Sequence, residues 1–474
     1  MSENNIYDYD VVVIGLGPAG MAVSVMASEM GLKVCGIEKN KIGGECMNVG
    51  CIPSKAILRL AKKYHVLKEF SVTDALKTDI FKKPFPEISK SLQYISDKKT
   101  MGMFEKVKLI YQQGEATFLD PHTIKVGEQE ITGKRIFICT GTRPAIPNIS
   151  GLKDIEPLTN ENLYSLEEIP ESMIVLGSGA IACEMAQAFA RLGTKVSMVF
   201  RGKGLLWRED KEVGTLLEKS LNDDGVILFK NAGMKEFIKD NNETILELED
   251  GTKIKAQKVL CALGRHFDAK SLNLENTGVN FSKKGITVNN ALQTSQKHIF
   301  ACGDINGEYQ FSHAAMHQGM LALMNCFMPP FYKMNFKKYP VPWTIFTEPQ
   351  ISRVGASLAQ LEKDGIAHEV ITVRYEDYGA AIAEKIETGF VKVAVNKWGK
   401  ILGVTIVGEG SGEMINEWAM AMQNKHSLIK IMLQQHSFPT MGFLSKRVAE
   451  VWMMKKMQSV KLKNMCRSIF NFYK

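Results

Sequence analysis

The chain has 474 residues, 45% of them hydrophobic and 23% charged, and it carries a formal net charge of +8. This composition is typical of globular domains and excludes a disordered or fibrous chain. No apolar run reaches the ~20 residues that a membrane-spanning helix needs. The lysines are scattered and no aromatic-interleaved basic motif accompanies them, so no nucleic-acid partner is expected.

The cysteines indicate the cellular compartment. Most of the nine stand singly on apolar segments, as buried thiols do in cytoplasmic proteins. The beginning of the chain is polar and acidic and has neither the basic nor the apolar region of a signal peptide. We therefore expect a cytoplasmic protein.

A dinucleotide-binding unit is predicted at the start of the chain. Its elements are a strand at Tyr9–Ile14, a glycine turn, a helix at Met21–Met30 and a strand at Lys33–Ile37. In the turn, Gly15 allows the tight bend, Gly17 lets a pyrophosphate reach the helix N-terminus, and Gly20 lets helix and strand pack closely. Glu38 closes the second strand and is placed to accept a hydrogen bond from a ribose hydroxyl.

A second unit of the same kind is predicted later in the chain. Its elements are a strand at Met173–Leu176, a glycine turn, a helix at Cys183–Arg191 and a strand at Lys195–Val199. Gly177, Gly179 and Ala182 occupy the three positions of the turn. Arg201 and Arg208 follow the second strand and suit the 2′-phosphate of NADPH, which we expect in preference to NADH.

Two cysteines between these units do not fit the pattern of isolated thiols. Cys46 and Cys51 lie on a turn that begins with Gly43 and Gly44, and such a pair can close a small disulfide ring. A helix is predicted at Ser54–Phe70, so Cys51 precedes a helix N-terminus, where the helix dipole stabilises a thiolate. Zinc needs two more ligands at suitable spacing, which are missing, so redox chemistry is favoured and no metal site is expected.

These motifs together resemble the pyridine nucleotide-disulfide oxidoreductases, the relatives of dihydrolipoamide dehydrogenase, glutathione reductase and mercuric reductase. The segments that carry the resemblance are Gly15–Gly20, Glu38, Cys46–Lys55, Gly177–Glu184 and Ala301–Asp304. It extends from about Tyr9 to about Trp452. The family implies an α/β fold with two Rossmann-like dinucleotide-binding domains, for FAD and NAD(P), and a C-terminal α+β dimerisation domain, hence a homodimer.

The resemblance also implies an order of domains. The expected segments are an FAD-binding domain at 1–150, an NAD(P)-binding domain at 151–270, a central segment that completes the FAD domain at 271–336, a dimerisation domain at 337–452 and a basic amphipathic tail at 453–474.

The family mechanism assigns roles to the matched residues. NADPH would pass a hydride to the flavin, which would reduce the Cys46–Cys51 disulfide. Cys51 would be the thiolate nearest the flavin, and Cys46 the outward thiol that attacks substrate. Lys55 would lie near the flavin, with its charge balanced by Glu184, while Asp304 would hold the ribityl chain. Further cofactor-binding positions are Gly43, Gly44, Lys55, Ala116, Thr140, Gly141, Ser312, Gly264 and Arg265.

The chain departs from the family at the base that exchanges protons with the thiols. Dihydrolipoamide dehydrogenase and glutathione reductase use a histidine directly before proline, oriented by a glutamate five residues later. Here Phe438 and Phe443 occupy those positions, and neither ring can move a proton. His436 survives two residues upstream and is expected to be structural. A second departure is Glu45, whose charge beside the cysteines should disfavour thiolate formation.

The predicted function is transfer of electrons between NAD(P)H and a small-molecule or protein-bound disulfide acceptor, through FAD and the cysteine pair. One alternative is a mercuric-reductase-like metal reductase, since that enzyme also lacks the histidine and has the Arg201 and Arg208–Asp210 arrangement. The paired C-terminal cysteines that pass mercury in that family are missing here, and the tail contains only Cys466. A second alternative is a flavin-based quinone or oxygen reductase, and a third is a non-catalytic scaffold that binds FAD.

The basic tail carries an apolar pattern of its own. Leu462, Met465, Ile469 and Phe472 recur at helix-like spacing, and no acidic residue lies among the basic ones. Such a helix can lie on an anionic membrane surface or dock on a partner. A capping helix or a disordered end is the expectation that we favour over membrane contact.

Overall fold

A computed structural model describes residues 6–72, 78–386 and 388–472. The strands are β1 (Tyr9–Ile14), β2 (Val34–Glu38), β3 (Lys108–Tyr111), β4 (Ala116–Phe118), β5 (Thr123–Val126), β6 (Gln129–Ile138), β7 (Arg143–Pro144), β8 (Ser172–Leu176), β9 (Lys195–Val199), β10 (Ile227–Phe229), β11 (Met234–Asp240), β12 (Glu243–Leu248), β13 (Lys253–Ala256), β14 (Lys258–Cys261), β15 (Arg265–His266), β16 (Phe281–Ser282), β17 (Gly285–Ile286), β18 (Ile299–Ala301), β19 (Trp343–Ile345), β20 (Ile351–Gly355), β21 (Glu369–Arg374), β22 (Phe390–Val395) and β23 (Ile401–Val407).

The α-helices follow in the same order. They are α1 (Pro18–Glu29), α2 (Gly44–Asn48), α3 (Cys51–Glu69), α4 (Asp79–Lys82), α5 (Phe85–Ile95), α6 (Ala180–Arg191), α7 (Lys211–Asp223), α8 (Ser312–Cys326), α9 (Leu358–Lys363), α10 (Gly379–Glu384), α11 (Ser411–Gln423), α12 (Leu428–Leu433), α13 (Phe443–Met457) and α14 (Val460–Phe472).

The chain forms two compact units. The first comprises the described residues of 1–203 and 224–337, and the second those of 204–223 and 338–474. The predicted α/β class and both βαβ units are confirmed in the first unit. The tail is helical to residue 472, and its last two residues lie outside the described part of the chain.

The first βαβ unit lies at the centre of a seven-stranded sheet. Strand β1 pairs in parallel with β2 on one side and with β6 on the other, and β18 pairs with the far edge of β6. The apolar run of β1 is buried from Val11 onward, as expected for a parallel strand covered on both faces. Helix α1 begins at Pro18, earlier than the predicted Met21, because proline is compatible with the first turn of a helix.

The second βαβ unit builds a smaller parallel sheet in the order β10-β9-β8-β14. A three-stranded antiparallel sheet, β11-β12-β13, packs on it through an apolar core that includes Ile174, Leu246 and Val259. Helix α6 begins at Ala180 rather than at the predicted Cys183, directly after the glycine turn. Both nucleotide turns therefore stand between the end of a parallel strand and the start of a helix.

The second unit is built on a five-stranded antiparallel sheet in the order β19-β20-β23-β22-β21. Its core includes the fully buried Trp418 and Tyr375. Residues 204–223 also belong to this unit. An ion pair connects them to its sheet, since the buried Glu209 carboxylate lies 3.0 Å from the Nε of Arg353 on β20. Such a pair is costly to break because either partner would be left as an uncompensated buried charge.

Candidate active site and nucleotide-binding turns

The first glycine turn has the geometry of a pyrophosphate-binding turn. Gly15 has a φ of +89°, and a Cβ on Gly20 would lie 1.9 Å from the carbonyl oxygen of Gly15, so neither position accepts a side chain. Gly17 is the N-cap of α1 and supplies no side-chain cap, which leaves first-turn N–H groups for an anion. The backbone of this turn therefore fits the pyrophosphate of FAD.

Glu38 is held rigidly at the end of β2. The carboxylate accepts hydrogen bonds from the N–H of Leu16 at 2.9 Å and from the N–H of Asn40 at 2.8 Å. The residue is only 8% exposed. Because each carboxylate oxygen has two acceptor positions, the group retains capacity for ribose hydroxyls.

The turn that carries the cysteines packs against this first nucleotide turn. Gly43 and Gly44 have φ values of +90° and +58°, and a Cβ on Gly44 would meet the Cα of Gly17 at 2.9 Å. Only glycine permits that approach of two backbones. The close approach places the cysteine pair beside the predicted flavin-binding turn.

The remaining predicted FAD positions lie at the carboxyl edge of the same sheet or close to it. Thr140 and Gly141 follow β6, and Asp304 follows β18 through Gly303, whose φ is +85°. Ala116 is buried in β4, which β5 separates from β6. Ser312 begins α8. Burial raises the pKa of Asp304, and a hydrogen bond from Thr142 and the charge of the nearby Arg265 act in the opposite direction.

The second glycine turn repeats the geometry of the first. Gly177 has a φ of +123°, and a Cβ there would lie 2.5 Å from the carbonyl oxygen of Ala262. Gly179 is the N-cap of α6, again without a side-chain cap, and the fully buried Ala182 packs inside. A nucleotide pyrophosphate fits this turn as it fits the first turn, because N–H groups at the helix N-terminus can bind an anion.

The two predicted phosphate-binding arginines lie in different units. Arg201 is exposed and follows β9 in the first unit, whereas Arg208 is exposed in the second unit, with its guanidinium 4.9 Å from the ring centroid of Trp207. Gly264 is an exposed glycine with a φ of +118° between β14 and β15. Their roles in nucleotide binding stay predictions.

Cys46 and Cys51 are brought together as two thiols. Helix α3 begins at Cys51, three residues before the predicted Ser54, so Cys51 lies within the first turn rather than before it. A hydrogen bond from Cys46, assisted by Ser312 and by the charge of Lys55, lowers the pKa of Cys51 to about 6 against the opposing effect of burial. The same bond, together with burial, raises the pKa of Cys46. The two shifts favour a thiolate at Cys51 and a protonated thiol at Cys46.

Two polar groups surround the Cys51 sulfur. The Ser312 Oγ lies 3.2 Å from the Cys51 Sγ. One helical turn along α3, the Lys55 Nζ donates to the Glu184 carboxylate of α6 at 2.8 Å. The Glu184 side chain is only 7% exposed, so it is not a solvated surface carboxylate. The Lys55–Glu184 pair joins the cysteine helix to the helix that follows the second nucleotide turn.

The charge of Glu45, which we expect to disfavour thiolate formation at the cysteines, is balanced in the structure by a basic residue. Its carboxylate forms an ion pair with Arg265, which also donates from Nε to the Thr142 hydroxyl at 2.7 Å. Burial raises the pKa of Glu45, and Arg265 counteracts it. Asn160 adds a weaker hydrogen bond to the same carboxylate. No sequence pattern predicts the participation of Thr142 and Asn160.

Replacing Ser312 with alanine should raise the pKa of the Cys51 thiol by about one pH unit, because a donor to the thiolate is lost. The pH midpoint of Cys51 alkylation in the reduced enzyme, followed by mass spectrometry, should therefore move upward from about 6. Ser54→Ala is the matched control, since the Ser54 hydroxyl donates to the Cys51 carbonyl and not to the sulfur. An unchanged midpoint in Ser312→Ala would contradict the assignment.

Phe438 occupies the position of the family base, and the side chain of the nearby His436 is buried. The His436 Nε2 lies 2.8 Å from the Glu417 carboxylate and its Nδ1 lies 3.3 Å from the Gln434 carbonyl, and the side chain is only 7% exposed. Phe438 is 70% exposed and packs edge-on against Phe443, with ring centroids 5.4 Å apart. Both ring nitrogens of His436 therefore have partners, as expected of a structural histidine, and no sequence pattern points to Glu417 as one of them.

The described residues form neither a membrane-spanning helix nor a cluster of metal ligands. Among the described residues, no helix combines the length and the apolar character that crossing a membrane requires. Within the same part of the chain, no group of three or more His, Cys, Asp or Glu side chains is arranged to hold a metal ion.

Comparison with known proteins identifies the family. The protein-family model described as pyridine nucleotide-disulphide oxidoreductase matches residues 9–319. The family model of the pyridine nucleotide-disulphide oxidoreductase dimerisation domain matches residues 341–446. A mercuric reductase of Staphylococcus aureus is 32% identical over 89% of this chain and 79% of its own length. A dihydrolipoyl dehydrogenase of Geobacillus stearothermophilus is 31% identical over 93% of this chain and 96% of its own length.

Solved structures give the same result. The HOCl-induced flavoprotein disulfide reductase RclA from Escherichia coli superposes with a TM-score of 0.83 at 26% identity, covering 93% of this chain and 99% of RclA. A Cu(II) complex of RclA superposes with a TM-score of 0.84. The predicted fold class, enzyme class and cofactors are confirmed, and the dimerisation domain supports a homodimer. The chain belongs to the pyridine nucleotide-disulfide oxidoreductases, enzymes that use FAD and NAD(P)H around a redox-active cysteine pair.

Proposed function

We propose that this enzyme takes electrons from NADPH through FAD to the Cys46–Cys51 pair and delivers them to a thiophilic metal ion such as Hg(II) or Cu(II). The observation that carries the proposal is the adjacent Cys46 and Cys51 thiols, with the Ser312 hydroxyl 3.2 Å from the Cys51 sulfur, combined with phenylalanine at position 438, where the family has its proton-transferring histidine. Soft metal ions bind thiolates and displace their protons, so they need no positioned base. A disulfide acceptor, by contrast, requires a proton for its leaving thiol.

Each group in the first unit has a defined task in this proposal. FAD, when bound, supplies the exchange of an electron pair between nicotinamide and the cysteines. The first-turn N–H groups after Gly17 bind its pyrophosphate, while Glu38 and Asp304 hold its sugar hydroxyls. Lys55, fixed by Glu184, keeps a positive charge near the Cys51 thiolate. Cys46 is the outer thiol that first meets the acceptor.

The overall reaction balances for either metal ion. One NADPH supplies two electrons, which reduce one Hg(II) to Hg(0) or two Cu(II) to two Cu(I), with release of NADP⁺ and one proton. Relatives named mercuric reductase and a neighbour solved as a Cu(II) complex support this class of acceptor. We also propose a cytoplasmic location, which the usage of single buried cysteines supports.

A small-molecule or protein-bound disulfide is the second candidate acceptor. It is favoured by the exposure of Cys51 and the partial exposure of Cys46, which leave the thiol pair accessible for exchange. The likeness to RclA, a flavoprotein disulfide reductase, also supports it. Without a base we expect slower exchange, by roughly 10²-fold or more.

A panel of acceptors separates these candidates. NADPH oxidation by the purified holoenzyme is measured with Hg(II), Cu(II), lipoamide, glutathione disulfide and a quinone, under anaerobic conditions. We expect a kcat/KM for a metal ion at least about tenfold above that for either disulfide, and its loss in Cys46→Ser. Cys466→Ser, which removes an exposed thiol outside the pair, is the control. Lipoamide turnover equal to metal turnover would contradict the proposal, and quinone turnover in Cys46→Ser would assign a flavin-based activity.

Replacing Arg201 with glutamate should lower kcat/KM for NADPH by roughly 10–100-fold and leave that for NADH nearly unchanged, because a carboxylate repels the 2′-phosphate that only NADPH carries. The exposed side chain follows β9, where the family places the adenosine ribose. Lys195→Glu, at the opposite end of β9, makes the same change of charge and serves as the control. An equal loss for both nucleotides in Arg201→Glu would refute the role.

A further inference from the structure

Helix α14 has an apolar side and a basic side. Leu462, Met465 and Ile469 recur at i, i+3 and i+7, which places them on one side of the helix. Arg467 and two asparagines occupy the opposite side, and Lys461 and Lys463 lie at the two boundaries between the sides. The helix is therefore amphipathic along its whole length.

The apolar side of α14 is not covered by the chain's own core. Met465 and Ile469 are 51% and 50% exposed, and the helix contains no buried residue. The preceding helix, α13, behaves differently, because it buries Val448 and Trp452 in the core of the second unit. An amphipathic helix normally packs its apolar side, so α14 is built to meet something outside the described fold.

The charge of this region indicates what it meets. Beyond Glu450 the sequence contains several basic residues and no acidic one. An anionic surface complements such a helix, whereas a second copy of the same helix would bring like charges together. With 13 residues, α14 is too short to span a bilayer but long enough to lie along one.

We propose that α14 attaches the enzyme to the surface of an anionic lipid bilayer. Leu462, Met465 and Ile469 enter the boundary between headgroups and acyl chains, and Lys461, Lys463 and Arg467 contact lipid phosphates. Attachment through one short helix is reversible and weakens as salt screens the basic residues. This inference is independent of the acceptor proposed above.

Cosedimentation of the full-length holoenzyme with vesicles tests the proposal. Vesicles of phosphatidylcholine are compared with vesicles that contain equal parts of phosphatidylcholine and phosphatidylglycerol. We expect binding to the anionic vesicles at least about tenfold stronger than to the neutral ones. Ile469→Asn should reduce it by about threefold to tenfold, whereas Val460→Asn, which removes an exposed aliphatic side chain from the polar side, should not.

The contribution of charge has its own matched pair of variants. Lys461→Glu/Lys463→Glu/Arg467→Glu should abolish vesicle binding, while Lys153→Glu/Lys283→Glu/Lys284→Glu, with the same change in net charge at exposed positions of the first unit, should retain most of it. NADPH oxidation in solution should be unchanged in all of them. Absence of binding by the wild type overturns the proposal, as does equal loss in the two triple variants. Weakened dimerisation without any vesicle binding assigns the helix to a second copy of the chain instead.

Discussion

Replacing Cys51 with serine should lower NADPH-driven turnover of every acceptor that uses the cysteine pair by roughly 10³-fold or more. A serine hydroxyl does not ionise near neutral pH, so the thiolate that forms at a pKa of about 6 is lost. The variant should still bind FAD, because the FAD-binding turn around Gly17 and Glu38 does not depend on the sulfur. Steady-state turnover and the ratio of bound flavin to protein measure the two effects separately.

Anaerobic titration with NADPH makes the same prediction more specific. In the wild type the cysteine pair accepts electrons beyond those that the flavin accepts, and Cys51→Ser should lose that additional capacity. Cys46→Ser should lose it as well, since a single thiol cannot form the disulfide. Cys466→Ser retains both members of the pair and should titrate like the wild type. Retention of full turnover in Cys51→Ser would show that the pair has no part in the reaction.

The backbone features of the site were predictable because they demand particular residue types. Gly15, Gly20 and Gly44 occupy positions where a Cβ would collide with backbone, so the sequence must show glycine there. Strand β1 was predicted with its correct bounds from a continuous apolar run. Short-range constraints of this kind leave a visible pattern in a single sequence.

The side-chain network around the cysteines was predictable only in part, because its members are distant in sequence. The contact of Ser312 with Cys51 joins residues separated by 261 positions, and no local pattern reports it. The ion pair of Glu45 with Arg265 is similar, because no local pattern predicts that a residue 220 positions away balances the charge of Glu45. The early start of α3 at Cys51 was missed because a helix can begin one turn before its first strong signal.

The grouping of residues 204–223 with the second unit also depends on contacts between residues that are distant in sequence. In the sequence, Glu209 belongs to the Arg208–Asp210 motif, near the predicted nucleotide site. In the structure it is buried against Arg353 and accepts a hydrogen bond from Trp343 at 3.2 Å. Burial raises the pKa of Glu209, and the Arg353 charge opposes that effect. The acidic part of the motif therefore anchors the segment, and only its arginine remains a candidate for phosphate binding.

Restoring the lost base should increase turnover of a disulfide acceptor by about 10²-fold, because a positioned histidine supplies the proton that the leaving thiol requires. The variant is Phe438→His/Phe443→Glu. The two rings are in contact, with centroids 5.4 Å apart, so the substituted imidazole and carboxylate can reach each other. Phe438 is 70% exposed, so the substitution removes little buried apolar surface. Lipoamide reduction as a function of pH measures the effect.

The native histidine cannot take over this task, which is why two substitutions are needed. His436 is held by Glu417 and is nearly inaccessible. Phe438→His alone should give a smaller gain, because nothing orients the new ring, and Phe438→Asn/Phe443→Gln should give none, because an amide does not transfer protons near neutral pH. The gain should depend on pH through the imidazole, and metal-ion turnover should change little, since thiolate ligation needs no base. An equal gain in the amide control would mean that polarity, rather than proton transfer, limits disulfide turnover in this enzyme.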